Sequence, residues 1–248
     1  MKNTHHQIYD DILAWHEQKK KAFAWLIDPD RYDRDTLVNL QARNLFPHII
    51  LVGGSLVSAN TTDIVRDIKN IVTDKSRVIL FPGDPTQLAP DADAMLLLSL
   101  VSGRNPEYLI GHHVKAAPLI KRMNIETIPT AYMLIDGGTR TSVEYVSATN
   151  PIPANKPDIA VATALAAQQL GMNAIYLEAG SGAANPVSSD MISHVRAATD
   201  LPILVGGGLR STDELLRVFA AGADIAVVGT LIERQPQAVT DIMKHLPT

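Results

Sequence analysis

Residues 173–230 read NAIYLEAGSGAANPVSSDMISHVRAATDLPILVGGGLRSTDELLRVFAAGADIAVVGT. Three short apolar runs, at 173–177, 202–205 and 224–228, alternate here with amphipathic stretches at 188–198 and 211–220. Short apolar runs separated by segments of helical period mark βαβ units, whose strands lie parallel beneath covering helices. Every run ends in a glycine-bearing junction, so the stretch predicts a parallel sheet with polar loops gathered at the carboxyl ends of its strands.

The same alternation continues toward the N-terminus, with further strands predicted near 22–28, 48–52, 77–81, 93–98 and 126–135. Helices are predicted near 34–44, 59–72, 106–120, 157–170 and 236–246, besides a leading helix around 5–20. Eight strands are what a (β/α)8 barrel (a TIM barrel) needs, and 248 residues match the roughly 250 typical of that fold. An open doubly wound sheet is the competing architecture, but no G-x-G-x-x-G follows the first strand. No linker composition divides the chain, so residues 1–248 read as a single α/β barrel domain. One interval breaks the pattern. Between the third and fourth strands, Pro82 to Asp91 holds three prolines and a glycine. Proline lacks an amide proton and clashes inside a helix, so an irregular loop or single turn is predicted in place of the third barrel helix.

The balance of charge excludes some partners. A net charge of -4 and a pI near 6.0 argue against a broad nucleic-acid footprint, and the one basic run, Lys19-Lys20-Lys21, reads as a solvated helix end. With no cysteine, disulfides and thiolate metal sites are impossible. The start Met1-Lys2-Asn3-Thr4-His5-His6 lacks the apolar core of a signal peptide, and no window reaches about 18 uninterrupted apolar residues. A cytoplasmic protein is expected. An apolar helix face at Ile159, Ala160, Thr163, Ala164 and Ala167 could serve a homo-oligomer interface or pack on the barrel.

Phosphate chemistry is predicted at the seventh and eighth junctions, Gly206-Gly207-Gly208 and Gly229-Thr230. Glycine lets backbone amides approach an oxyanion, and barrels commonly bind phosphate after these strands. Asp28 stands at the predicted carboxyl end of the first strand, stiffened by Pro29, where its carboxylate suits a hard cation such as Mg2+. Ser55, after Gly53-Gly54 on the neighbouring strand, could share that ion or cap the next helix. Asp30 and Asp33 read as turn and helix-start residues, and His112-His113 as part of a helix away from the strand ends.

At these residues the chain resembles the geranylgeranylglyceryl phosphate synthase family, including its bacterial heptaprenylglyceryl phosphate relatives. The matching segments are Leu26-Ile27-Asp28-Pro29-Asp30, Val52-Gly53-Gly54-Ser55, Phe81-Pro82-Gly83, Tyr176-Leu177-Glu178-Ala179-Gly180-Ser181-Gly182, Val205-Gly206-Gly207-Gly208 and Val228-Gly229-Thr230. The Tyr-Leu-Glu-x-Gly-Ser-Gly stretch is the most specific. The resemblance implies a barrel with a modified third helix, substrates sn-glycerol 1-phosphate and a polyprenyl diphosphate (geranylgeranyl first, thirty-five carbons second), and Mg2+. It implies Asp28 and Ser55 as metal ligands. It implies Tyr176, Leu177, Glu178, Ala179, Gly180, Ser181, Gly182, Gly207, Gly208, Gly229 and Thr230 around glycerol phosphate. Some relatives carry Lys two positions before the Asp; Leu26 stands there here, so the phosphate lacks that cation.

Prenyl transfer then casts Glu178 as the base for the glycerol hydroxyl, Asp28 as the catalytic metal ligand and Tyr176 as an orienting phenol. An apolar groove on the barrel side without a full third helix would take the prenyl tail, whose membrane origin allows transient lipid contact. Tyr132, Tyr108 and Ala116-Ala117-Pro118-Leu119-Ile120 are candidates for lining it and equally for ordinary packing. The rival readings are a sugar-phosphate isomerase using Asp28 and Asp136 as acid and base, and a non-catalytic phosphate binder.

Overall fold

The computed structural model describes residues 7–247. Eight strands, β1 (Ala22–Ile27), β2 (Ile49–Val52), β3 (Arg77–Leu80), β4 (Ala94–Leu100), β5 (Glu126–Leu134), β6 (Ala174–Glu178), β7 (Ile203–Gly206) and β8 (Ile225–Val228), close into one barrel in chain order. Every neighbouring pair is parallel, and closure runs from Ala22 opposite Ile225 to Trp25 opposite Val228. All eight predicted strands are present.

Side chains alternate across the strands into two apolar layers. On β6, Ala174 and Tyr176 join the barrel interior while Ile175 and Leu177 join the shell beneath the helices. That shell is covered by α2 (Arg34–Ala42), α3 (Thr61–Val72), α4 (His112–Met123), α6 (Pro157–Gln169), α7 (Ser189–Ala198), α8 (Thr212–Ala220) and α10 (Ala238–His245), as the periodicity predicts. The leading helix α1 (Gln7–Glu17) does something else. Its Ile8 and Ile12 belong to the interior cluster, and the amides of Ile8 and Tyr9 donate to the Glu126 carboxylate at 3.0 and 2.8 Å, so α1 plugs the amino-terminal end of the barrel. The first residues of the predicted leading helix, with the Met1–His6 start, lie outside the described residues.

Between β3 and β4 the chain makes a single 3-10 turn, Pro85–Gln87, capped where Asp84 accepts the Thr86 amide. The prolines enforce this, and the barrel wall there stays uncovered by any helix of its own. Two short helices escape sequence periodicity: α5 (Ser142–Ser147), capped by Thr141, and α9 (Thr230–Arg234), which starts at Gly229. Neither is long enough to repeat a hydrophobic pattern.

The basic run needs one correction. Lys19 and Lys20 are exposed, but Lys21 is largely covered; its Nζ donates to the Ala223 carbonyl at 2.7 Å and lies 3.7 Å from buried Asp224. Arg196 approaches the same carboxylate at 3.2 Å, so Lys21 belongs to an ion cluster under the barrel. Among the described residues no helix is long and apolar enough to cross a membrane.

Candidate active site

β6 ends on Glu178, and the parallel register sets it beside Gly206 of β7. Glu178 is buried, with 5% of its surface exposed, and its Oε1 accepts the Gly180 amide at 2.6 Å. Burial pushes its carboxyl up to about 7, against the Gly180 amide and the nearby Tyr176 hydroxyl, which favour the charged form. A carboxyl titrating near neutrality can accept a proton and return it.

The neighbouring glycines exist to seat these side chains. A Cβ on Gly207, where φ is +83°, would fall 2.4 Å from Oε1 of Glu178 and 2.5 Å from the Gly180 nitrogen. On Gly206 it would fall 2.3 Å from the Tyr176 hydroxyl. The glycine run after β7 therefore leaves room for the polar end of β6, a steric role separate from the anion approach expected of it.

Tyr176 is fully buried inside the barrel, stacked obliquely with Phe81 and Tyr132 at centroid distances of 5.1 and 5.4 Å. Its hydroxyl meets no partner of good hydrogen-bond geometry among the described residues. Burial and the Glu178 charge push both Tyr132 and Tyr176 phenols well above their usual range, so both stay protonated donors.

The rest of the Tyr176 to Gly182 stretch divides. Leu177 and Ala179 point into the helix shell, so only their main chain is available to a substrate. The Ala179 amide is already bonded to the Gly206 carbonyl at 3.0 Å, and that of Gly180 to Glu178. Ser181 and Gly182 are exposed at the loop crest, while Gly207, Gly208, Gly229 and Thr230 are half-buried at the mouth. A Cβ on Gly229 would approach the Leu26 carbonyl at 3.3 Å, and the Leu26 side chain packs on the interior cluster, so the last junction meets an apolar neighbour from β1.

Asp28 follows β1 and is partly exposed; its Oδ1 accepts the Asp30 amide at 3.0 Å. Arg31 comes within 3.9 Å of Oδ2 and, on its other side, 3.5 Å of Glu233 on α9. A Cβ on Gly54 would lie 3.6 Å from Asp28 Oδ1, so the glycine leaves open space between that carboxylate and the Ser55 segment. Ser55 caps no helix: Asn60 caps α3. Asp30 instead ties the loops together, accepting the amides of Ser58 and Ala59 at 3.0 and 2.7 Å, and Asp33 caps α2.

No cluster of three or more His, Cys, Asp or Glu that could hold a metal is found among the described residues. Asp28 and Ser55 alone offer one carboxylate and one hydroxyl, hard oxygens of the kind Mg2+ takes when water and substrate phosphate supply the remaining ligands.

Where the third helix is lacking, an apolar groove open to solvent runs from Gly54 and Ser55 toward β4. Phe81, Leu88, Met95, Leu97, Leu98, Leu100, Tyr108, Ala116 and Tyr132 give it an apolar wall. Of the candidates named from sequence, Tyr132, Tyr108 and Ala116 line it, while Ala117, Pro118 and Leu119 face solvent.

His112 and His113 open α4, on a helix as expected, and from there also border this wall; His113 Nε2 is bonded to the Leu98 carbonyl at 2.8 Å. Gln87 was not anticipated at all. Buried in the 3-10 turn, its amide group donates to the Gly54 carbonyl at 2.8 Å and accepts from the Gly54 and Gly83 amides at 3.3 and 3.2 Å, locking two loops beside Ser55. A lone glutamine among turn residues carries no sequence signal of such a role. Asp136, offered for the isomerase reading, is exposed at the end of β5 with its carboxylate turned onto the Gly138 amide at 2.8 Å.

Comparison with known proteins places this geometry in context. The profile of the PcrB family matches residues 12–246. A protein of Spirosoma linguale named geranylgeranylglyceryl phosphate synthase is 47% identical over 232 residues, covering 92% of this chain and 91% of its own. One of the same name from Korarchaeum cryptofilum is 40% identical, covering 93% and 96%. Among solved structures, (S)-3-O-geranylgeranylglyceryl phosphate synthase from Thermoplasma acidophilum, in complex with its substrate sn-glycerol-1-phosphate, superposes with a TM-score of 0.87 at 32% identity, covering 96% of this chain and 98% of that one.

Proposed function

Because this chain belongs to the PcrB family, we propose that it is a prenyltransferase joining sn-glycerol 1-phosphate to a long polyprenyl diphosphate, geranylgeranyl diphosphate first, with release of diphosphate. One observation carries this reading. The mouth has two chemically opposite halves, a buried carboxyl among glycines at β6 and β7 and an apolar cavity at β3 and β4; Ser55 borders that cavity, and Asp28 faces the adjoining Gly54.

In this reading the glycine junctions after β7 and β8 hold the phosphate, and Glu178 binds the glycerol hydroxyl. The hydroxyl oxygen attacks the allylic carbon, the bond from that carbon to diphosphate breaks, and the proton passes to Glu178. Holding the two substrates in one mouth makes the step effectively unimolecular. Asp28, with Ser55, would hold Mg2+, which when bound neutralises charge on the leaving diphosphate. The apolar cavity takes the prenyl tail and keeps water from the allylic carbon. A twenty-carbon chain gains about 0.8 kcal/mol per buried CH2, so it resides in membranes or in such a groove.

Purified protein incubated with Mg2+, labelled glycerol 1-phosphate and a ladder of prenyl diphosphates should yield an ether lipid identifiable by mass. Binding of glycerol phosphate without any ether product would leave only a carrier; product formed equally without divalent cation would remove the metal assignment.

A further inference from the structure

We propose that the outward face of the α4 segment docks on anionic lipid bilayers, placing the apolar groove against the membrane that carries its substrate. This rests on the prenyltransferase reading for its purpose but not for its test.

The segment opens with a π-helical turn, Glu107–Gly111, that runs into α4. Its inner side covers the groove: Tyr108, His112, His113 and Ala116 line the cavity. Its outer side is apolar where a soluble helix normally is not. Ile110 is 58% exposed and Val114 66%, and with Ala117 and Lys121, both exposed, they fall at i, i+4, i+7 and i+11, one continuous stripe. Lys115 and Arg122 flank it. From Glu107 to Met123 there are three cations and one carboxylate; Glu107 pairs with Lys115 at 2.8 Å, which leaves Lys121 and Arg122 as the segment's excess positive charge in a chain whose net charge is -4. An apolar stripe edged by Lys and Arg is the pattern of a helix lying in the plane of a membrane interface, where long cationic side chains reach the headgroups.

The rim of the groove continues this surface. Leu56, next to groove-lining Ser55, is 81% exposed; Tyr145 is 81% and Val146 41% exposed on α5, and the Tyr108 hydroxyl donates to the Val146 carbonyl at 3.4 Å, joining α5 to the segment. Exposed apolar groups gathered around one opening mark an interaction surface. The bilayer is the occupant that suits both the positive charge of the segment and the water-insoluble chain the groove takes.

Vesicle flotation tests this without turnover. The wild-type protein is mixed with vesicles of pure phosphatidylcholine or of equal parts phosphatidylcholine and phosphatidylglycerol, beside Ile110→Ser/Val114→Ser and, separately, Lys121→Glu. Wild type should float with the phosphatidylglycerol vesicles, at least about tenfold more than with the neutral ones. Either variant should lose about tenfold of that binding while keeping its melting temperature and its activity on a ten-carbon prenyl diphosphate in solution. Wild type that fails to float, or variants that float as well as wild type, would overturn the proposal. So would a stripe occupied by a second copy, seen as a dimer that the double variant dissociates and that ignores vesicles. Vesicle binding without ether formation from any prenyl diphosphate would instead sink the prenyltransferase reading and leave the docking surface standing.

Discussion

The two halves of the barrel mouth are built by opposite means. At β6 and β7 the polar groups are positioned by the absence of side chains: Gly206 and Gly207 leave the volume that Tyr176 and Glu178 fill, and the Gly180 amide fixes the carboxyl. At β3 and β4 the feature is the absence of a whole helix, replaced by the Pro85–Gln87 turn, and the space becomes an apolar cavity roofed by α4. The first half tolerates little change because its atoms are in contact; the second should tolerate more because it is a void. Local backbone geometry sets the chemistry, and missing secondary structure sets the size of what can be accepted.

The sharpest break in this comparison is Glu178→Gln. It keeps the shape and much of the glycerol phosphate affinity but removes the base, so turnover should fall about 100- to 10,000-fold. Measuring ether formation and glycerol phosphate binding together decides it, and Asp136→Asn should leave ether formation near wild type. A fully active Glu178→Gln enzyme would remove the role assigned to that carboxyl.

Gly207→Ala should come next, with activity lost about 100-fold and stability by about 1–3 kcal/mol, since the new methyl collides with Oε1 in a backbone conformation that disfavours it. Thermal melts with kinetics separate the two effects; an unchanged melting temperature would contradict the packing described.

Acidity gives a third probe. With Glu178 titrating at about 7 in the free protein, kcat/KM should fall about tenfold per pH unit below that value, and the limb should vanish from residual Glu178→Gln activity. Stability moves the other way. A folded-state pKa raised above an unfolded value of roughly 4.3 means that stability present below pH 4 is lost as pH rises toward 7 and beyond. Denaturant melts of the Gln variant should therefore lack that decline.

On the tolerant side, Ala116→Phe should shorten the accepted chain. kcat/KM for a twenty-carbon diphosphate should drop about tenfold while a ten-carbon one is little affected, at a folding cost of about 1–3 kcal/mol. Equal losses for both chains would mean that Ala116 does not border the tail. The smallest effect belongs to Ser55→Ala, a few-fold rise in the Mg2+ needed for half activity, because water replaces one neutral oxygen ligand.

The fold was legible because its signal is periodic. Parallel strands buried on both faces read as apolar runs, and the covering helices repeat at 3.6 residues, so every strand of the barrel could be placed before its neighbours were known. The break at Pro82 to Asp91 was equally plain, since proline acts on the backbone it occupies. Asp28 is legible as a carboxylate at a strand end, whereas the role given to Glu178 comes from the family resemblance. Groups whose meaning depends on a distant neighbour were not legible. Lys21 looked like a solvated helix end until Asp224 closed on it from before β8, and Gln87 had no task until Gly54 and Gly83 met it. The sequence places His112 and His113 on a helix but carries no sign of the cavity wall that helix covers.

The sequence by itself thus determined the strand and helix order, the missing helix and the chemical type of each junction, all properties of local backbone and side-chain pattern. Only the tertiary structure decided that the glycines after β7 serve Tyr176 and Glu178, that burial raises this carboxyl to about 7, and that the lost helix leaves an apolar groove. The physical reason is that desolvation, steric fit and enclosed volume arise between residues far apart in the chain, and appear only when the barrel has closed.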